Sequence, residues 1–498
     1  MNRSRSFLSS GLVLLASLFG FGPGDLSAQS HDPRYELGIR ERRQELAWFD
    51  ASEDARAAGV PALEQAVTSF FGLRLDEAGR QLDRAWLAMA ERSDDAIARA
   101  VARYSTRTAS RWLDVDRPTI DPRLEAFYAA GDELPLDGTI RFSITANDSS
   151  RSILARTEAT VATAIEGIDW TVRDVPAGDH RLTTTLIIGD RTWTFPEIGL
   201  SFSRDRDGRL AEVTNGLAAL RKLAKEERAS DEEQEESTEE ALRATGAATL
   251  GLLQGLLEDL AGGDVLETDY PADRLLADAE RLIADRGSPL ALHRERRGSD
   301  LWLNLSADRR RQTIRLRAPT QAEGALPVLI ALHGAGGSEN MFFDAYGAGR
   351  LVEMGVERGW LVVAPRQTVL GLPADLPRLL DAIEKFQPID RSRVLLVGHS
   401  MGAAQAIRQT GSYPDRVRAV AAVGGGGSIP ANADVRGVRF LVAAGDRDFG
   451  RRQARALADR LERVGAAVTW IEFEQTEHLG VMQVSLERVF EFLDDAVR

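Results

Sequence analysis

Arg393-Val-Leu-Leu-Val-Gly-His-Ser-Met-Gly-Ala-Ala-Gln-Ala-Ile407 is the stretch from which the fold is read. Four of its first five residues are β-branched or leucine, as in a short buried strand, and its last five are good helix material. Between them stands Gly398-His-Ser-Met-Gly402, a serine flanked at both second neighbours by glycine. A sharp strand-to-helix turn that exposes a serine at its tip needs small residues at those two places, so that strand and helix can approach. Ser400 is therefore the candidate nucleophile. Such a pentapeptide recurs by chance in a glycine-rich chain, so the reading rests on what surrounds it.

The surroundings alternate strand and helix. Apolar runs at 328–332, 360–364, 394–397, 417–423, 440–444 and 468–473 read as strands. Helical patterns fall at about 341–358, 374–386, 401–411, 450–464 and 483–496. This alternation is what a parallel sheet with crossover helices demands. The segment 301–316 suggests extra antiparallel strands at the front edge.

A serine hydroxyl needs a base to take its proton, and the base needs an orienting acid. Of the six histidines, His333, His399 and His478 lie in this region. His399 adjoins the serine inside the turn and should point elsewhere, and His333 sits in the turn after the first central strand. His478 follows the last strand, and loops at the C-terminal ends of parallel strands share one sheet edge, so His478 is the expected base. The acid should follow the preceding strand, where Gly445-Asp-Arg-Asp448 offers both Asp446 and Asp448. The chain order of serine, acid and histidine fits strand-to-helix serine hydrolases rather than chymotrypsin-like or subtilisin-like chains. Two backbone N–H groups should bind the oxyanion. Met401, directly after the serine, is one candidate; Ala335, with Gly336 as the second choice, is the other, in the turn His333-Gly-Ala-Gly-Gly337.

Leu332-His-Gly-Ala-Gly-Gly-Ser338, Ile389-Asp-Arg-Ser-Arg-Val394 and Gly398-His-Ser-Met-Gly402 together resemble the α/β-hydrolase superfamily. The likeness points toward bacterial secreted esterases of the polyhydroxybutyrate depolymerase and feruloyl esterase type and covers about residues 300–498. The family's Gly-x-x-Asp spacing implies Asp448 as the acid, with Asp446 shaping the loop. It also implies ester hydrolysis through an acyl-enzyme, with no cofactor and no metal. A prolyl-oligopeptidase-like serine peptidase is the alternative activity, although its β-propeller is missing. A cell-envelope binding protein with a vestigial hydrolase domain is the alternative of another class. Family members often carry disulfides, and this chain has no cysteine.

With 498 residues the chain is too long for one core. Arg3 and Arg5 precede an apolar run over 7–21 and a small-residue exit, the layout of a signal peptide cut after Ala28. Leu26 suits that cut poorly, which leaves a retained anchor as the alternative. An exported protein, periplasmic or extracellular, is expected, with no transmembrane domain after signal removal. The absence of cysteine excludes a lipoprotein anchor, disulfides and a cysteine nucleophile. A net charge of −14 argues against nucleic acid and leaves a small or polymeric ester as the expected partner.

Residues 29–130 carry helical stripes such as Leu63, Ala66, Val67, Phe70 and Phe71 and are expected to form a helical region. Residues 131–205 alternate with period two, as at Ile140, Phe142 and Ile144, and suggest a small β-sandwich-like module. Residues 206–296 return to helix around the acidic block that begins at Asp231, and the α/β-hydrolase domain is expected over 297–498. The segment 365–375 is too short for a large cap, so the site should be open or covered by the upstream regions.

Overall fold

The computed structural model describes residues 33–129, 131–230, 237–307, 310–321, 323–368, 371–372, 374–430 and 432–498. The expected signal peptide lies outside the described residues, as does most of the acidic block. No described helix is long and apolar enough to cross a membrane.

Four helices open the described chain: α1 (Pro33–Asp50), α2 (Glu53–Phe71), α3 (Leu75–Met89) and α4 (Ala96–Arg103). Ser52 caps α2 by accepting the Ala55 N–H at 3.2 Å, and Asp95 caps α4 by accepting the Ala98 N–H at 3.0 Å. The helical region expected over 29–130 ends earlier, because Tyr104–Arg107, Trp112–Asp114, Thr119–Ile120 and Arg123–Ala126 are strands. At two to four residues each, they are too short to show a period.

The module expected to be a β-sandwich is instead built on one six-stranded sheet. The period-two residues Ile140, Phe142 and Ile144 do mark its buried face, but helices cover that face: Ala98, Val101 and Ala102 of α4 and Leu87 of α3 share the cluster. Alternation fixes which face is buried and says nothing of what covers it.

Helices α5 (Arg206–Ser230), α6 (Thr238–Gly262), α7 (Ala272–Ala284) and α8 (Pro289–Glu295) lead into the second sheet. Its eight strands are β1 (Asp300–Ala307), β2 (Arg310–Arg317), β3 (Leu326–Leu332), β4 (Leu361–Pro365), β5 (Ile389–His399), β6 (Ala419–Val423), β7 (Arg439–Gly445) and β8 (Ala467–Phe473). The spatial order is β1-β2-β4-β3-β5-β6-β7-β8, with β1 and β2 antiparallel and the rest parallel. Helices α10 (Leu376–Glu384), α11 (Met401–Ser412) and α12 (Arg451–Arg463) cover one face, and α9 (Arg350–Glu357) and α13 (Val481–Val497) cover the other. Central strands buried on both faces read as unbroken apolar runs. In β3, Val328, Ile330 and Leu332 face one core while Leu329 and Ala331 face the other.

The edge strand β1 is not left open. The Asn304 and Ser306 N–H groups, which point away from β2, donate to the Thr249 and Thr245 hydroxyls of α6, both at 3.0 Å. Residues four apart on a helix rise ~6 Å and residues two apart on a strand ~6.6 Å, so the two rows match.

Candidate active site

Ser400 stands at the C-terminal end of β5, one residue before α11, with φ 55° and ψ −115°. A side chain other than glycine is strained there. The turn persists because α11 meets β3 and β5 without side chains between them: a methyl group on Gly402 would overlap the Leu332 carbonyl of β3, and one on Gly398 of β5 would overlap the Gly402 carbonyl. The Ser400 N–H is fixed by the Val423 carbonyl of β6 at 2.9 Å.

The loops after β7 and β8 converge on this serine. His478 reaches Ser400 Oγ through Nε2 at 2.9 Å and Asp448 Oδ1 through Nδ1 at 2.7 Å. Asp448 Oδ1 also accepts the Gly450 N–H at 2.6 Å. Asp446 turns away and accepts the Thr476 N–H at 3.1 Å, tying the two loops together. Asp448 and His478 are buried, while Ser400 is half-buried.

The other two histidines serve the frame. His399 Nε2 donates to the His478 carbonyl at 2.9 Å, which leaves Nδ1 to accept the Tyr346 hydroxyl at 2.8 Å. The Tyr346 oxygen in turn accepts the Gly334 N–H at 3.3 Å. Burial, and then the neighbouring His478, hold the His399 pKa well below the usual imidazole range, so the ring stays neutral. His333 donates from Nδ1 to the Gly334 carbonyl at 2.7 Å and accepts the Gln367 N–H on Nε2 at 3.1 Å. Burial lowers its pKa to about 4. Glu477, buried beside His478, accepts the Leu479 and Gly480 N–H groups at 2.7 and 2.5 Å, and burial pushes its pKa up to about 7.

Ala335 and Gly336 line the same cavity as Ser400 and His478. Met401 is the first residue of α11, where a backbone N–H has no intrahelical carbonyl. Among the described residues no group of three or more His, Cys, Asp or Glu could hold a metal ion.

The cavity measures about 420 Å³ and is walled on one side by the front helices, with Leu37 of α1, Val67 and Phe70 of α2 and Leu82 of α3 facing the serine's turn. The Phe70 ring covers Gly336 so closely that no side chain would fit there. Phe71 meets Phe449 edge to face at 5.8 Å, and Phe449 lies 4.0 Å from the His478 ring. Arg447 pairs with Glu64 of α2 at 2.9 Å, and Leu479 packs into the core of α1–α3. Sequence reading missed Tyr346, Phe70 and Glu477 as parts of this site. Glu477 adjoins the histidine, but nothing in the sequence relates Tyr346 or Phe70 to Ser400.

The model of the alpha/beta hydrolase family matches residues 328–496. Similar solved structures include an S-formylglutathione hydrolase of Staphylococcus aureus, 14% identical over 39% of this chain and 96% of that one, with a TM-score of 0.33. A ferulic acid esterase is 18% identical over 40% of this chain and 97% of its own, with a TM-score of 0.34. An arylesterase is 14% identical over 44% and 93%, with a TM-score of 0.32. No curated protein matches the chain. The C-terminal region is an α/β-hydrolase domain.

Proposed function

We propose that the protein is an exported serine hydrolase that cleaves carboxylic esters through an acyl-enzyme. The observation that carries this reading is His478 bonded through one ring nitrogen to Ser400 Oγ at 2.9 Å and through the other to Asp448 at 2.7 Å. In that arrangement Nε2 takes the hydroxyl proton as Oγ attacks the ester carbonyl, and Asp448 holds the tautomer and stabilises the imidazolium. The proton then passes to the leaving alkoxide, which departs as the alcohol. Water, activated by the same nitrogen, releases the acid and restores Ser400. The Met401 and Ala335 N–H groups receive the oxyanion, each removal of such a donor costing about 2.7–4 kcal/mol of transition-state stabilisation. Export is supported by Arg3, Arg5 and the apolar run over 7–21.

The test is labelling of the full chain with a fluorophosphonate probe. The native protein takes up one equivalent and Ser400→Ala takes up none; stoichiometric labelling of the variant would place the nucleophile elsewhere.

A further inference from the structure

The charged side chains along the cavity are mostly committed to one another. Arg181 holds Asp269 at 2.7 Å, Arg315 holds Asp300 and Asp344 at 2.6 Å each, and Arg317 holds Asp300 at 2.5 Å. Arg274, in the first turn of α7, differs. Among the described residues its guanidinium has no carboxylate within 4.0 Å and no hydrogen-bond acceptor, and its Nε is buried without a partner. It overlies the Trp302 indole at 5.4 Å, and both side chains line the cavity that holds Ser400.

The acids nearest Arg274 are occupied elsewhere. Asp179 caps α7, accepting the Asp273 and Arg274 N–H groups at 3.1 and 3.2 Å and the Ser201 hydroxyl at 2.7 Å. Asp278 pairs with Arg296 at 2.5 Å, and Asp300 is shared between Arg315 and Arg317. Burial is the largest influence on Arg274 and lowers its pKa, more than these carboxylates offset. A guanidinium nonetheless stays charged in a protein, and burying it without a counter-ion is costly. Its planar fork is built for a bidentate anion.

We infer that Arg274 is the binding site for a carboxylate carried at the far end of the ester whose carbonyl sits at Ser400. The inference rests on the esterase reading and narrows its substrate class to anionic esters. The apolar wall from α1–α3 then takes the uncharged part of the substrate, and the Trp302 face supports the guanidinium from behind.

The experiment compares kcat/KM for pairs of esters that differ only in a terminal carboxylate or its primary amide. The tails are of graded length, placed on the acyl side in one series and the alcohol side in another. In the native protein the carboxylate member is preferred at one tail length. Arg274→Gln lowers that preference about 10- to 100-fold, and Arg274→Lys retains part of it. Equal preference in native and Arg274→Gln proteins at every length, with Ser400-dependent fluorophosphonate labelling intact, overturns the inference and leaves the esterase reading standing. Loss of that dependence removes both. Should Arg274→Gln not fold, the native protein decides: glutarate must slow fluorophosphonate labelling more than glutaramide at matched ionic strength, and equal rates overturn the inference.

Discussion

Two aspartates separated by one residue do different work because of where the chain turns between them. Asp448 meets His478, whereas Asp446 accepts the Thr476 N–H and joins the loops after β7 and β8. Asp448→Asn keeps the shape but favours the wrong tautomer of the imidazole, so kcat toward a short p-nitrophenyl ester should fall by about 10⁴. Asp446→Asn retains an acceptor oxygen and should change kcat little. The reverse ranking in steady-state kinetics would move the acid to Asp446. At this scale the sequence was informative wherever chemistry follows a strand end. Ser400, Asp448 and His478 each stand just past a parallel strand, and parallel strands bring such ends to one edge. Tyr346, Phe70 and Arg274 carry no such mark. Their relation to Ser400 depends on how separate elements pack, which no local pattern encodes.

At the scale of elements, strands buried on both faces were the easiest to read, since β3, β6 and the 394–397 half of β5 are unbroken apolar runs. The short strands between Tyr104 and Ala126 were missed because a segment of two to four residues has no period. Equally hidden was the role of α6 as the cover of the sheet's open edge. An edge strand exposes unpaired N–H groups that template aggregation. Thr245 and Thr249 are fully or almost fully buried and satisfy two of those groups. Replacing either by valine keeps its shape but strands a buried donor, at about 1–3 kcal/mol each. Urea denaturation should show that loss for Thr249→Val, and Thr249→Ser should recover most of it. A valine variant as stable as the native protein would mean that water or a shifted backbone satisfies Asn304.

On the scale of the whole molecule, the boundary expected at residue 297 is crossed by a shared core. One apolar cluster runs from Trp112 and Val213 through Leu250, Leu275 and Leu303 to Leu457 in α12. The front helices are joined to the hydrolase domain again at α1, where two carboxyl groups are buried. Glu45 is buried there against the turn at Tyr346–Gly349 and against Gln483 of α13, and Glu41 is buried near Tyr346. Burial pushes the Glu41 carboxyl up to about 7 from its ordinary 4.5, and it raises Glu45 well above the usual carboxylate range. Each folded-state pKa lies above the unfolded value, so the folded chain binds more protons in between. Stability is then fully present below about pH 4.5 and is lost as pH rises through about 7, by roughly 3 kcal/mol for Glu41 alone. Glu41→Gln keeps the volume and removes the titration. Urea unfolding at pH 5, 6, 7 and 8 should therefore show a shallower decline for the variant, with the largest gain over the native protein at pH 8. Parallel declines would mean that Glu41 ionises in the folded state as readily as in water, and that this contact between front helices and hydrolase domain is open to solvent.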